Sequence, residues 1–334
     1  MQLTDFAKHM TVFFGSYLPD IQNRSRNTII SYSNAFRHLL IFCRDVCNIS
    51  PERLSFEEFN ETLVTDFLEW LQNERGNSVS TRNQRLHAIH AFCRYVQLQE
   101  PDLIHLCQRI LQIPDKKYQK PLIRYLSLKQ TKALLATPDP SCRSGRRDMT
   151  LLSVLYDTGA RIQEFCDLRL HDVCLASPAT IVFAGNGRKT RHVPISSNTE
   201  ELLRLHLHEA RIECMDTPLF FLRRRSRPTQ DGVGSLLRKH AVKAFAHVCP
   251  DMHKSITPQT LRNSKAVHLY QAGVDPVYIQ DMLGIAHFGI TDRYVRAGFG
   301  LDEEWEQAHP GPSPEIVLDW NPAGEDLLEF LKNL

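Results

Sequence analysis

The sequence predicts a mainly α protein of two domains, the first a helical bundle and the second a mixed α+β domain with a small antiparallel sheet. Three observations carry this. At 334 residues the chain exceeds the usual single-domain size, and each part is long enough to bury its own core. From about Asp5 to Cys107 apolar residues recur at helical spacing with no strand-like alternation. Beyond Ile113 the helical pattern gives way to a β-branched apolar run at 179–184, which a Gly185-Asn-Gly187 turn leads back along 191–195 as a hairpin.

In the first part, Ile29, Tyr32, Phe36, Leu39, Leu40 and Cys43 form one stripe. Val64, Phe67, Leu68 and Leu71 form a second, closed by the turn at 74–78, and Leu86, Ile89, Phe92, Cys93 and Val96 form a third. Together they imply a bundle of about four helices over 1–112. Ser25 and Ser78 stand before helix starts as hydroxyl caps, with Arg26 and Arg82 close by. A capped N-terminus beside an arginine suits a phosphate, although a cap can be only a cap. Periodicity stops at Ile113-Pro-Asp-Lys-Lys-Tyr-Gln-Lys-Pro121, so 113–124 reads as an extended linker. Its Lys116, Lys117 and Lys120 are either phosphate contacts or solubilising charge.

In the second part, 125–300, Ser127 and Thr131 open a helix through Leu134 and Leu135, and an apolar helix over Met149–Tyr156 ends at Thr158-Gly159. After the hairpin, helices are expected at 200–212, 234–248, 260–273 and 276–283. Residues 301–334 form a tail, in which a proline-rich stretch at 310–314 precedes an acidic amphipathic segment at 325–332. Its Leu327, Leu328, Phe330 and Leu331 need a groove, on their own domain or on a neighbouring protomer.

Composition is ordinary, with 42% hydrophobic and 23% charged residues. No apolar run approaches the roughly 18 residues of a membrane span, and the first residues lack the apolar stretch of a secretory signal, so a cytosolic protein is expected. Nine cysteines without paired spacing read as reduced thiols, which agrees with that compartment. A formal net charge of +2 does not advertise a polyanion binder. Basic residues nevertheless cluster at 116–120, 143–147, 188–192 and 223–227, while acidic ones gather at 51–61 and after 301, so one basic face is expected.

The chemistry rests on Arg161 in Asp157-Thr-Gly-Ala-Arg-Ile-Gln-Glu164, Arg262 in Thr257-Pro-Gln-Thr-Leu-Arg-Asn263, and Tyr294, nine residues beyond Ile285. Two arginines can fork onto a phosphate and a tyrosine can attack it. Were Arg161 buried, its fork would need a partner, and Glu164 or Asp167 could serve; read alone, Arg161 and Glu164 are an exposed ion pair one helical turn apart. Carboxylate clusters of the kind that hold paired magnesium ions are not evident, so neither a metal nor another cofactor is expected.

These boxes resemble the tyrosine recombinase (phage integrase) family over most of the chain. The resemblance implies an N-terminal core-binding (SAM-like) bundle and a C-terminal catalytic domain acting on double-stranded DNA. Its activity would be to cut and rejoin strands through a 3′-phosphotyrosine on Tyr294, with Arg161 and Arg262 clamping the phosphate. It also implies DNA contacts from Arg26, Arg82 and Arg85, and from Arg188 and Arg191 near the hairpin turn. A dimer on each site and a tetramer in synapsis would follow, or a hetero-assembly with related recombinases, and mobile-element integration is the expected setting. The sequence departs from the family pattern at four places. Gln259 and Asn263 stand where histidines are common, and Gln259 can donate a hydrogen bond but cannot shuttle a proton. Ile285 replaces a histidine or tryptophan, with His287 two residues on. Asn186 replaces the hairpin lysine that protonates the leaving oxygen, which makes Lys189 the nearest alternative. The same losses suggest a second expectation, an architectural DNA-binding subunit beside an active paralogue.

Overall fold

A computed structural model of the chain describes residues 4–118, 123–184, 190–222, 226–246 and 256–285. The chain divides into two compact units, Met1–Lys120 and Pro121–Leu334.

The described elements of the first unit are all helices. Helix α1 (Asp5–Val12) runs into a π-helical stretch (Phe13–Ile21) that contains Pro19. It is followed by α2 (Arg26–Asp45), α3 (Glu61–Asn73), α4 (Val79–Gln99) and α5 (Ile104–Leu111). Ser25 and Ser78 accept hydrogen bonds from the amides of Thr28 and Thr81, so both are true N-caps. α5 lies beyond the three stripes because Pro101 starts a separate short turn after α4, and α5 then buries Cys107 and Ile110. The core is a knot of aromatic rings. Phe92 on α4 lies within 5.4 Å, centroid to centroid, of Phe6, Phe13 and Phe36, and each of these four side chains is no more than 1% exposed. Edge-to-face pairs of this kind add to the roughly 1.5–3 kcal/mol that burying each ring contributes.

Residues 113–118 form no helix or strand, yet they are tied to α4 rather than hanging free. Arg82 Nη1 donates to the Pro114 carbonyl, Asn83 exchanges hydrogen bonds with the backbone of Lys116, and His87 pairs with Asp115 at 2.9 Å.

In the second unit, α6 (Leu128–Leu135) is capped by Ser127, and α7 (Arg143–Thr158) follows, beginning six residues before the apolar run that predicts it. Gly145 allows that early turn, since a Cβ there would sit 1.8 Å from the Asp139 carbonyl oxygen. α7 is the central helix, with Leu151, Leu152, Val154, Leu155 and Tyr156 all buried. After α8 (Ile162–Asp167) come strands β1 (Val173–Cys174), β2 (Thr180–Ala184) and β3 (Thr190–Pro194) in an antiparallel sheet of that order. The β2–β3 hairpin is the expected one, whereas two-residue β1 is too short to show a pattern in sequence. Ile181, Phe183 and Val193 face the core, and Phe183 pairs with Arg191 across the ladder. Helices α9 (Ser197–Ala210), α10 (Gln230–Phe245), α11 (Pro258–Gln271) and α12 (Pro276–Leu283) complete the unit. None of the described helices is long and apolar enough to cross a membrane.

Candidate active site

The site is built where α7 ends, α8 begins and α12 ends. Gly159 closes α7 in a left-handed conformation, φ +53°, and a Cβ there would lie 2.5 Å from Leu283 Cδ2, so only glycine lets α7 and α12 meet this closely. The chain then turns through Ala160 and enters α8 at Arg161, whose amide donates to Glu164 Oε2 at 2.9 Å.

Arg161 Nη1 donates to Glu164 Oε1 at 2.9 Å and Nη2 to the Gly284 carbonyl. Its side chain is 46% exposed. Arg161 therefore forms an exposed ion pair at the first turn of a short surface helix, its fork fixed along one edge and open to solvent elsewhere. Arg262 is the buried arginine, 4% exposed, with Nη1 on the Gly159 carbonyl and Nη2 on the Leu283 carbonyl, both at 2.6 Å. Arg262 thus braces from behind the two turns that Arg161 touches.

Asp167, the other partner considered for Arg161, pairs instead with Arg227 and accepts from Gln163. Glu164 is the partner, and a second arginine shares it. Arg191 on β3 donates from Nη1 to Oε1 at 3.1 Å and from Nη2 to Oε2 at 2.6 Å. Burial alone would raise the Glu164 carboxyl, but the hydrogen bonds from Arg191 and Arg161 hold it below the usual carboxylate range. Arg191 was expected at the DNA. Its side chain is only 11% exposed, its Nε donates to the Met282 carbonyl at 3.0 Å, and its guanidinium lies 4.8 Å over the Phe183 ring. All three nitrogens point inward.

Beneath the turn, Lys265 on α11 is buried with its Nζ 3.4 Å from Asp157 Oδ1. The other Asp157 oxygen accepts from the Ser196 amide and hydroxyl and from Thr199. This network ties the end of α7 to the N-cap of α9. Neither residue stood out in sequence, because a lysine and an aspartate 108 positions apart carry no local pattern.

Gln259 is exposed at the start of α11, and its Nε2 donates to Asn263 Oδ1 at 2.8 Å while Asn263 Nδ2 donates to the Arg124 carbonyl at 3.0 Å. Ile285 is 7% exposed and packs with Tyr125, Leu269, Ile279 and Leu283, so this position supplies core rather than a polar contact. Tyr294, His287, Lys189, Arg188 and Lys120, with Asn186 and the tail helix, lie outside the described residues.

The candidate DNA contacts of the first unit separate by burial. Arg26, Lys116 and Lys117 are exposed, with Lys116 Nζ on Gln72 Oε1 at 2.7 Å. Arg82 is 5% exposed and spends Nη1 on Asn83 and Pro114, and Arg85 is half-buried with Nη1 on the Ser31 carbonyl. Arg82 thus acts as a strut for residues 114–116. The 143–147 cluster is likewise spent internally, with Arg146 on Glu209 and Arg147 on Asp148.

The chain and its fold also match those of known proteins. Residues 124–299 match the model of the phage integrase family and residues 15–101 that of a phage integrase N-terminal SAM-like domain. The chain is 37% identical over 326 residues to a Sinorhizobium fredii protein described as integrase/recombinase y4rC, spanning 96% of each. It is 32% identical over 312 residues to tyrosine recombinase XerD of Staphylococcus haemolyticus, spanning 90% of this chain and 99% of the other. Its fold resembles the crystal structure of the XerH site-specific recombinase bound to palindromic difH substrate, with a TM-score of 0.67 and 21% identity over 86% of this chain and 80% of that one.

Proposed function

The chain belongs to the phage integrase family of tyrosine recombinases, which cut and rejoin DNA through a covalent 3′-phosphotyrosine, and from that premise we propose that it recombines the ends of a mobile element with Tyr294 as nucleophile. The observation that carries the reading is the convergence of Arg161 and Arg262 on the turn at 283–284, with Arg161 still offering an open edge to a phosphate.

Arg161 neutralises the non-bridging oxygens, and Arg262 holds the turns that aim it. Gln259 donates a hydrogen bond to the same phosphate, its amide oriented by Asn263. The Tyr294 oxygen forms a bond to phosphorus as the bond to the 5′ oxygen breaks. The phenolic proton passes to solvent, and Lys189 delivers a proton to the departing oxygen, with His287 as a further donor to the phosphate. The phosphodiester energy is kept in the protein–DNA link, so rejoining needs no nucleotide.

Exposed Arg26, Lys116 and Lys117, with Lys120 and Arg188, contact the duplex backbone. The protein works in the cytosol as a dimer on each site and a tetramer in synapsis, through its tail. An architectural role beside an active paralogue is the second reading, favoured by the packing of Ile285 into the core and by the non-titrating Gln259.

The test is a nicked suicide duplex carrying the element's end sequence, incubated without metal and resolved on a denaturing gel. A covalent band with wild type that is absent with Tyr294→Phe supports the strand-transferase. Binding without a band, on a duplex that a related recombinase cleaves, supports the architectural subunit instead.

A further inference from the structure

Three consecutive carbonyls at the end of α12 each receive a different arginine. Met282 accepts from Arg191, Leu283 from Arg262 and Gly284 from Arg161. A helix C-terminus leaves its last carbonyls unpaired and carries partial negative charge, so cations gather there for a physical reason. Of the three, Arg161 is the proposed phosphate clamp and Arg262 braces it. Arg191 does not touch that clamp directly, and its position raises the question of what a buried guanidinium accomplishes there.

Arg191 occupies both oxygens of Glu164, and Arg161 reaches the same two oxygens through its side chain and its own amide. The carboxylate accepts four hydrogen bonds, two from each arginine. With Arg191 in place Glu164 is held from behind and cannot swing with Arg161 toward a phosphate. The Nε bond to Met282 fixes the end of α12, and a Cβ at Gly284 would lie 3.1 Å from Arg191 Nη1, so the turn and the guanidinium are fitted to one another. Phe183 beneath the guanidinium sets its plane.

We infer that Arg191 is a positioning residue for strand cleavage: through Glu164 and the Met282 carbonyl it locks β3, α8 and the end of α12 together and so holds Arg161 in the geometry that meets the scissile phosphate. This rests on the reading of Arg161 as the phosphate clamp. The role needs three coplanar donors at once, a carboxylate fork and a third direction, which lysine lacks.

The test is a double-mutant cycle on single-turnover covalent adduct formation with the nicked duplex, using Arg191→Met, Arg161→Ala and the two combined. Arg191→Met is expected to slow the adduct on the order of 100-fold, the size of a misplacement of about 1 Å. In the Arg161→Ala background it is expected to slow it no further. Arg191→Lys, which keeps the charge, runs through the same cycle and restores less than half of the lost rate on a logarithmic scale. Equal slowing in both backgrounds, or full recovery with lysine, overturns the inference.

A second arm reads the same coupling without cleavage. In the Tyr294→Phe protein, replacing the scissile phosphate with a neutral methylphosphonate weakens binding by about ten-fold, the size of one charge-assisted hydrogen bond. Adding Arg191→Met removes that sensitivity if Arg191 acts through Arg161 and leaves it intact if it does not. A wild-type protein that makes no adduct sinks the strand-transferase reading, while this binding ratio still decides the role of Arg191.

Discussion

The apolar interior of the N-terminal unit is centred on rings, Phe6, Phe13, Phe36, Phe56, Phe59 and Phe92, whereas the C-terminal unit threads its apolar interior with charged groups at Arg262, Lys265, Asp157, Asp148 and Glu164. Apolar burial is itself non-directional, and the edge-to-face preference of the rings fixes one helix on another less sharply than a charged hydrogen bond does. Buried ion pairs cost desolvation and repay it only at one geometry, so they are a poor source of net stability and a good source of fixed position. The difference suits the proposed function. On that reading the bundle lies along a duplex and needs only a firm body under its surface cations, while a clamp for one phosphate needs its guanidinium fixed to a fraction of an ångström.

The sharpest way to break this contrast is to remove one partner from each interior. Lys265→Met leaves Asp157 Oδ1 buried without its cation and is expected to cost about 3–5 kcal/mol in calorimetric unfolding. Adding Asp157→Asn is expected to recover most of that, since the charge that had lost its partner is gone. Phe92→Ala costs a comparable 3–5 kcal/mol through its cavity. No second truncation in the bundle restores it, because the loss is of contact area. If the Asp157→Asn double variant is no better than Lys265→Met alone, the buried pair is not the fixed charge network described.

A smaller effect comes from His268, which is pushed down to about 4 by burial, offset in part by the Leu126 carbonyl. In the neutral ring Nε2–H donates to that carbonyl and Nδ1 accepts from the Tyr156 hydroxyl, so both ring nitrogens and the phenolic proton are paired without a buried charge. The sign follows from linkage. The unfolded chain takes up a proton at pH 6.5 while the folded chain resists until about 4, so the stabilisation is complete above 6.5 and is lost as pH falls through that window. The slope from this site is at most about 1.4 kcal/mol per pH unit. His268→Gln, which can make both hydrogen bonds, is expected to flatten the fall in Tm between pH 6.5 and 4.

Much of the fold could be read locally. Ser25, Ser78 and Ser127 announce their helices, α12 begins at Pro276 and ends at Gly284 as its end signals require, and the hairpin follows from a β-branched run and a glycine turn. The start of α7 is hidden because Arg143-Ser-Gly-Arg-Arg has no apolar stripe. Of the site, the Arg161–Glu164 pair is legible because it spans one helical turn. The inward turn of Arg191 is not, since its partner lies 27 residues away on another element and its neighbours in sequence are a basic run that reads as surface. Residue type alone also fails to separate Arg26, the exposed first residue of α2, from Arg82, on the buried side of α4.

That last pair gives the smallest and most discriminating prediction. Arg26 is exposed just after its cap, so Arg26→Ala is expected to change stability by less than about 0.5 kcal/mol and to lower the salt dependence of duplex binding by about one phosphate contact. Arg82 is buried on the Pro114 carbonyl, so Arg82→Ala is expected to cost about 1–3 kcal/mol for the acceptors left behind. The salt slope should hold with Arg82→Ala, because a guanidinium spent on Asn83 and Pro114 releases no counterion from DNA. A slope that falls by one for Arg82 and not for Arg26 would reverse the assignment, making the buried arginine the one that turns outward to the duplex.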